Sequence, residues 1–462
     1  MKNLSNNLTN NLTNNLTNNH QPMSLEFEFL PITAINLTPE QITQAVENSL
    51  KIKNESQQWA TYLNTLALFT FKEWLTQRAD FLTVNEDKCT VFQPAIANII
   101  PAVANLQVGK FKVCLLTNDS LGDDQIIVPR AVVELPEYIA HFYVLIEVLE
   151  EQETAIVSGF LSYQQLIEKQ TAANLQPETD WTYQIPVSWF TQEPNYLLLN
   201  LRCLDPNAIT LPVTNNQRMQ TLVSMQNELM ALLPQLQLPN IQLWQVLNWE
   251  QGIAVITNIQ LLNWLYNLQQ QQHNHSLQNS LKDLFQLLTQ PAINVGRWLW
   301  DELDELGEEL SWQLLPNIAP IPALRSPVEE FQVITNQLQN RGLEIPPQAR
   351  GAYHDLLLAG FPLRLYAVTW PILSESDPSW TLLLVLGTTA QNTLPAHLKL
   401  RVSDQTSILI EQKINQQQGD SYLFTRVVGN WDEKFLVSVS LVDGVELTLP
   451  PFTFYPGRSY QF

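Results

Sequence analysis

Apolar positions fall first into helical step. From Thr38 onward Ile42, Ala45, Val46 and Leu50 recur three and four apart, behind a threonine suited to cap a helix and a proline suited to its first turn. In WATYLNTLALFTFKEWLTQRADFL the residues Trp59, Tyr62, Leu63, Leu66, Phe69, Phe71, Trp74 and Leu75 wrap more than half of a helix, which predicts a core element. Residues from about 81 to 210 then read mainly as strands: KFKVCLL (Lys110–Leu116), QIIVPRAVVEL (Gln125–Leu135), AHFYVLIEVLEEQETAIVSGFLS (Ala140–Ser162) and NYLLLNLRCL (Asn195–Leu204). In the third, polar EEQE predicts a hairpin turn, and SYQQLIEKQ after it predicts a short helix.

Helical spacing returns at Gln217 and persists to about Leu315, broken by the low-complexity LQQQQHNHSLQNS at Leu268–Ser280. Four prolines in Pro316–Pro327 predict a semi-rigid connector. VEEFQVITNQLQNRG predicts a further helix stopped by Gly342. Beyond it the alternation is strict: Leu398, Leu400 and Val402 share one face of HLKLRVS, and Phe435, Val437, Val439 and Leu441 share one face of KFLVSVSL. With LRLYAVTW, WTLLLVLG, SILIEQ, YLFTRVV and a tight turn expected at Asp443-Gly444, the spacing predicts an immunoglobulin-like β-sandwich.

The expected architecture is therefore α+β and multidomain. Residues 1–24 are a disordered Asn-rich tail, since NNLTNNLTNNLTNN buries nothing; Met23 is a candidate for the true translation start. Residues 25–210 form an N-terminal domain of helices with a small antiparallel β domain, 211–315 a helical segment, 316–327 a Pro-rich linker, and 328–462 a helix plus β-sandwich.

Charge and composition narrow the function classes. Acidic residues outnumber basic ones 45 to 24, a formal net charge of −21. That sign opposes a phosphate backbone, so no nucleic-acid partner is expected, and it favours a protein partner with a basic surface. Cys89, Cys114 and Cys203 stand singly, without CxxC spacing or nearby histidines, which fits a reducing cytosol better than a zinc site or disulfide scaffold. No cationic-then-apolar segment opens the sequence, and no run approaches the ~18 apolar residues of a membrane helix. A soluble cytoplasmic protein is expected.

Motifs for phosphate loops, dinucleotide binding, zinc proteases, nucleophile elbows and EF-hands are missing from the sequence, so no catalytic residue, metal or cofactor is assigned. His273 and His275, two apart, point to different faces of a helix and suggest no metal site. An enzyme would need a pair drawn from Cys114 or Cys203 and His141 or His354, or the Arg350, Tyr353, His354 and Asp355 of ARGAYHDLLLAG. For the latter, structural hydrogen bonding is the stronger expectation.

INVGRWLWDELDELGEELSW (Ile293–Trp312) gathers six carboxylates in nine residues. At 100° per residue Val295, Leu299, Leu303, Leu306 and Leu310 fall within an arc of roughly 80°, with Asp301, Asp304, Glu305 and Glu308 opposite. Like charges four apart cost about 0.2–0.5 kcal/mol each. The expectation is one amphipathic helix whose acidic face, Asp301, Asp304, Glu305 and Glu308, is first of all a solvated surface and, as the alternative, a docking surface whose repulsion a basic partner relieves.

WATYLNTLALFTFKEWL, FYVLIEVLEEQETAIVSGFLSYQQL, YQIPVSWF, LNLRCLDP, INVGRWLWDEL, LPAHLKLRVSDQTSILIEQ and WDEKFLVSVSL resemble a cyanobacterial family of uncharacterised proteins, of the domain-of-unknown-function 1822 type. The likeness runs from about Leu25 to Tyr455. Relatives of this kind are often encoded beside sigma factors and caspase-like proteins, so the resemblance implies a regulatory or scaffolding role and carries over no catalytic residues. The expected function is that of a non-enzymatic interaction protein. Alternatives are a hydrolase with a carboxylate or Cys–His site at a domain junction, and a carbohydrate-binding sandwich presenting Trp370, Trp380 or Trp431.

Overall fold

Thr38 starts the first helix, Pro39–Ser49, with a full capping box: its Oγ1 accepts from Gln41 N at 3.3 Å and its N–H donates to Gln41 Oε1 at 2.9 Å. The computed structural model describes residues 33–101, 104–118, 124–214, 217–270, 277–316, 327–340, 342–373, 378–389, 394–395, 397–414, 422–441 and 444–457. The Asn-rich tail with Met23, the pair His273 and His275, residues 317–326 and Asp443 lie outside them. A second helix, Glu55–Arg78, is capped by Asn54 and buries most of its length, although Trp59 stays 44% exposed.

The N-terminal half contains β1 (Ile35–Asn36), β2 (Val84–Asn85), β3 (Ala104–Val108), β4 (Phe111–Asn118), β5 (Gln125–Pro129), β6 (Phe142–Leu149), β7 (Thr154–Ser162) and β8 (Thr182–Pro186). Six of them form one sheet in the order β1-β7-β6-β4-β3-β2, antiparallel except for the parallel pair β4–β6. Side-chain alternation splits its residues between two cores. Val113, Leu115, Phe142, Val144 and Ile146 face the first two helices, while Cys114, Leu116, Tyr143 and Leu145 face the opposite layer. Burial on both faces explains why β4 and β6 read as continuous apolar runs.

Two stretches expected as strands differ. Asn195–Cys203 is a helix, because Leu197 and Leu201, one turn apart, are the residues that reach the core while Tyr196 and Leu199 face water. In QIIVPRAVVEL only Gln125–Pro129 is a strand; Pro129 ends it and Arg130–Glu134 turns helical. The second layer comes from the helical middle, including Arg218–Leu232, Trp249–Ile256, Ile259–Gln270 and Leu277–Thr289, which shares one core with the sheet. Tyr138 Oη donates to Ile256 O at 3.0 Å within it.

The C-terminal half adds β9 (Ile293–Asn294), β10 (Gln313–Leu314), β11 (Arg350–Leu358), β12 (Phe361–Ile372), β13 (Ser379–Thr388), β14 (Lys399–Ser403), β15 (Ile408–Lys413), β16 (Leu423–Asn430), β17 (Leu436–Ser440), β18 (Glu446–Thr448) and β19 (Phe452–Thr453). They build two antiparallel sheets, β10-β11-β12-β13-β16 and β15-β14-β17-β18, and a short parallel pair β9–β19. Leu382, Leu384 and Leu386 of one sheet share a core with Leu400, Val402, Val437 and Val439 of the other. On the outer face of the first sheet Tyr366, Val368, Trp370, Leu383 and Val385 pack under the helix Pro327–Asn340 through Phe331, Ile334 and Leu338. The halves meet where Arg401 Nη2 reaches Asp283 Oδ1 at 3.1 Å and Glu446 Oε1 at 2.7 Å, and Ser403 Oγ donates to Asp283 Oδ2 at 2.8 Å.

Candidate functional site

The acidic stretch after β9 is not one helix. Val295–Trp300 is a 3₁₀ helix, Asp301 stops it in the left-handed region at φ 57°, and a new five-residue helix, Glu305–Glu309, starts behind Asp304. The phase count fails because Asp304 caps the second helix instead of continuing the first. Its Oδ1 accepts from Gly307 N at 3.0 Å and its Oδ2 from Asn294 N at 2.7 Å, so this carboxylate ties the second turn back to β9. Apolar residues still turn inward: Val295 and Trp298 are fully buried, and Leu299, Leu303, Leu306 and Leu310 pack against the core between the C-terminal sheets.

Close packing holds the segment as a rigid ridge. A side chain at Gly296 would lie 2.6 Å from the Tyr455 backbone, so only glycine lets the 3₁₀ turn approach the chain after β19. Trp300 Nε1 donates to Pro456 O at 2.8 Å, and Asn294 exchanges two hydrogen bonds with Tyr455, both 2.8 Å. Trp298 and Trp312 pack together at 5.6 Å.

The four acidic residues picked from the sequence take different places on this ridge. Asp301, its side chain 60% exposed, sits 3.5 Å from Arg350 Nε, an ion pair without a directed hydrogen bond. Asp304 is half-buried in its capping role. Glu305 and Glu308 are exposed, as is Glu309, and no ion pair joins these three to a cation among the described residues. Glu302 pairs with Arg297 at 3.2 Å.

The enzymatic alternatives find no common centre among the described residues. Neighbours on β11 point to opposite faces: His354 stacks on Trp312 at 5.3 Å, whereas Asp355 forms a two-pronged pair with Arg364 at 2.6 and 2.9 Å. Burial holds the His354 imidazole below its ordinary value, against the opposing pull of Asp355 and a hydrogen bond with the Ser311 backbone. Tyr353 Oη bonds Gln313 Oε1, and the Arg364 guanidinium lies 4.9 Å over the Tyr353 ring. Cys114 is fully buried, its thiol pushed far up by desolvation and its Sγ turned to Leu115 O; Cys89 is pushed up to about 11 for the same reason, and Cys203 is exposed. His141 accepts the Lys112 N–H at Nδ1, 2.8 Å, instead of facing a thiol. Among the described residues no group of three or more His, Cys, Asp or Glu is placed to hold a metal ion.

Of the tryptophans considered for ligand binding on the C-terminal sheets, Trp370 and Trp380 are buried, and half-buried Trp431 rests on Phe454 with its Nε1 bonded to Ser379 O at 3.2 Å. The sequence reading missed a cleft of about 250 Å³ elsewhere, where Trp181, Trp244 and Trp249 meet Ser56, Gln57 and Gln242. No sequence pattern signals it, because its walls come from five separate stretches of chain.

No described helix is long and apolar enough to cross a membrane. A family model described as a protein of unknown function, DUF1822, matches residues 35–448. No curated protein and no solved structure matches the chain.

Proposed function

We propose, on the premise that this chain belongs to the DUF1822 family, that it is a non-enzymatic interaction protein of the cytoplasm whose acidic ridge docks a basic protein surface. The observation that carries this reading is a set of exposed carboxylates on a closely packed ridge: among the described residues Glu305 and Glu308 pair with no cation, and Asp301 meets Arg350 at 3.5 Å without a directed hydrogen bond. Asp304 belongs to the surface by positioning it. Such a surface acts mainly on association rate and partner choice, and salt weakens it.

Three free thiols support the reducing compartment. The C-terminal sheets support an immunoglobulin-like sandwich reading, because the chain crosses between sheets so that β13 pairs β16 in one while β14 pairs β17 in the other. The test is affinity capture from native host extract with the wild type and with a variant carrying Asp301→Asn, Asp304→Asn, Glu305→Gln and Glu308→Gln. A basic partner held by the wild type and lost by the variant is expected. An unchanged partner set ends the proposal.

A further inference from the structure

We propose that the cleft between the start of the second helix, the β5–β8 pair and the helical middle binds a single neutral sugar ring, at a site separate from the acidic ridge. The cleft's volume, about 250 Å³, lies just under the ~300–1,000 Å³ of drug-sized sites and suits one ring.

Its aromatic wall is built with strain. Trp181 is held at φ 61°, a conformation that bulky residues rarely adopt, by the bond from Arg130 N to its carbonyl at 2.8 Å. Gly252 makes room for its ring: a Cβ there would lie 2.3 Å from the indole. Trp249 meets Trp181 edge to face at 5.1 Å and 70°, under the Arg130 guanidinium at 4.4 Å, with its Nε1 donating to Glu134 Oε2 at 3.1 Å. Trp244, 38% exposed, adds a third indole to the lining.

The polar lining fixes the ligand's chemistry. No lysine or arginine among the described residues lines the cleft, and Asp180 does, so a phosphate or carboxylate is disfavoured. What remains are amides and hydroxyls joined by long bonds: Gln57 Nε2 to Gln242 Oε1 and Gln242 Nε2 to Ser56 Oγ, both 3.4 Å. Gln57 is 5% exposed, and its Oε1 has no donor. A buried carbonyl without a donor is costly, and since Gln57 lines the cleft, a turn of its side chain would bring that acceptor to a ligand hydroxyl. Trp181 and Trp249 are steeply inclined and in contact, so they leave no parallel slot for a flat heterocycle. A puckered ring with C–H faces and hydroxyl edges matches an aromatic corner beside amides.

The experiment titrates the full chain with glucose, mannose, galactose and N-acetylglucosamine, followed by tryptophan fluorescence and ligand-observed NMR. A saturable signal with at least one sugar is expected. Trp244→Ala should weaken it about thirtyfold, the loss expected for a packed anchoring indole, and Trp244→Phe should restore most of it. Gln57→Met should weaken binding while the melting temperature stays at or above the wild-type value, a result that a purely structural glutamine would not give. The proposal is overturned if no sugar saturates, if Trp244→Ala binds as the wild type does, or if adenosine or a proline-rich peptide occupies the cleft instead.

Discussion

Replacing Asp304 by alanine tests whether one carboxylate holds the acidic ridge in place. The variant loses the helix cap on Gly307 N and the bond from Asn294 N, 3.0 and 2.7 Å in the structure. Loss of a cap costs about 0.5–2 kcal/mol, and a hydrogen bond to a charged acceptor about 1.5–3 kcal/mol. Relief of repulsion with Glu308 returns only about 0.2–0.5 kcal/mol. Because both bonds end on one side chain their losses are not independent, so about 2–4 kcal/mol of destabilisation is expected. At about 2–4 °C per kcal/mol for a folding unit of ~150–250 residues, melting should fall by about 4–16 °C. Urea unfolding followed by tryptophan fluorescence suits the site, since Trp298, Trp300 and Trp312 lie in the segment or beside it. Asp304→Asn, which still caps Gly307 but offers Asn294 one acceptor fewer, should fall between the two. An alanine variant within about 0.5 kcal/mol of wild type, the range of ordinary surface changes, would refute the argument.

Asp283→Ala should be costlier, about 3–5 kcal/mol, because among the described residues it leaves the largely buried Arg401 with Glu446 as its one carboxylate at the join between the halves; chemical denaturation checks it. The pH dependence follows from His141 and His354, both held below the ordinary 6.5 first of all by burial. The unfolded chain therefore binds more protons between the folded values and 6.5, so their contribution to stability falls as pH drops through that window and levels off below it. Urea midpoints between about pH 7.5 and about pH 5 should show this decline, flattened in His141→Gln/His354→Gln. Native thiol titration should modify exposed Cys203 quickly and spare Cys89 and Cys114 until unfolding.

How far the sequence reveals the fold depends on whether a signal is local. Thr38 with Pro39 and Gln41 carries the whole cap of the first helix within four residues, and the capping box forms. Strict alternation through Leu398, Leu400 and Val402 survives because these three side chains enter the core against the opposing sheet, while Arg401 and Ser403 turn the other way to Asp283. NYLLLNLRCL misleads because a leucine-rich run of that length fits either state, and only its tertiary partners select Leu197 and Leu201. For the acidic ridge, inward leucines were legible but its geometry was not. Helical phase says nothing of an aspartate that caps the next turn at Gly307 and also accepts from Asn294, ten residues earlier. The tryptophan cleft lies further out of reach, since Gln57 and Gln242, 185 residues apart, meet only in the folded chain.

The ridge itself is tested most directly by a charge-matched comparison. Asp301→Asn/Glu305→Gln/Glu308→Gln is set against Glu47→Gln/Glu151→Gln/Glu178→Gln, which removes the same charge from other exposed positions. Both are used to capture partners from native extract at low and physiological salt. Loss of a basic partner from the ridge variant alone, with wild-type capture in the control, is the predicted result. Equal capture by both variants, or equal loss from both, would show that no partner recognises the ridge and would contradict the account.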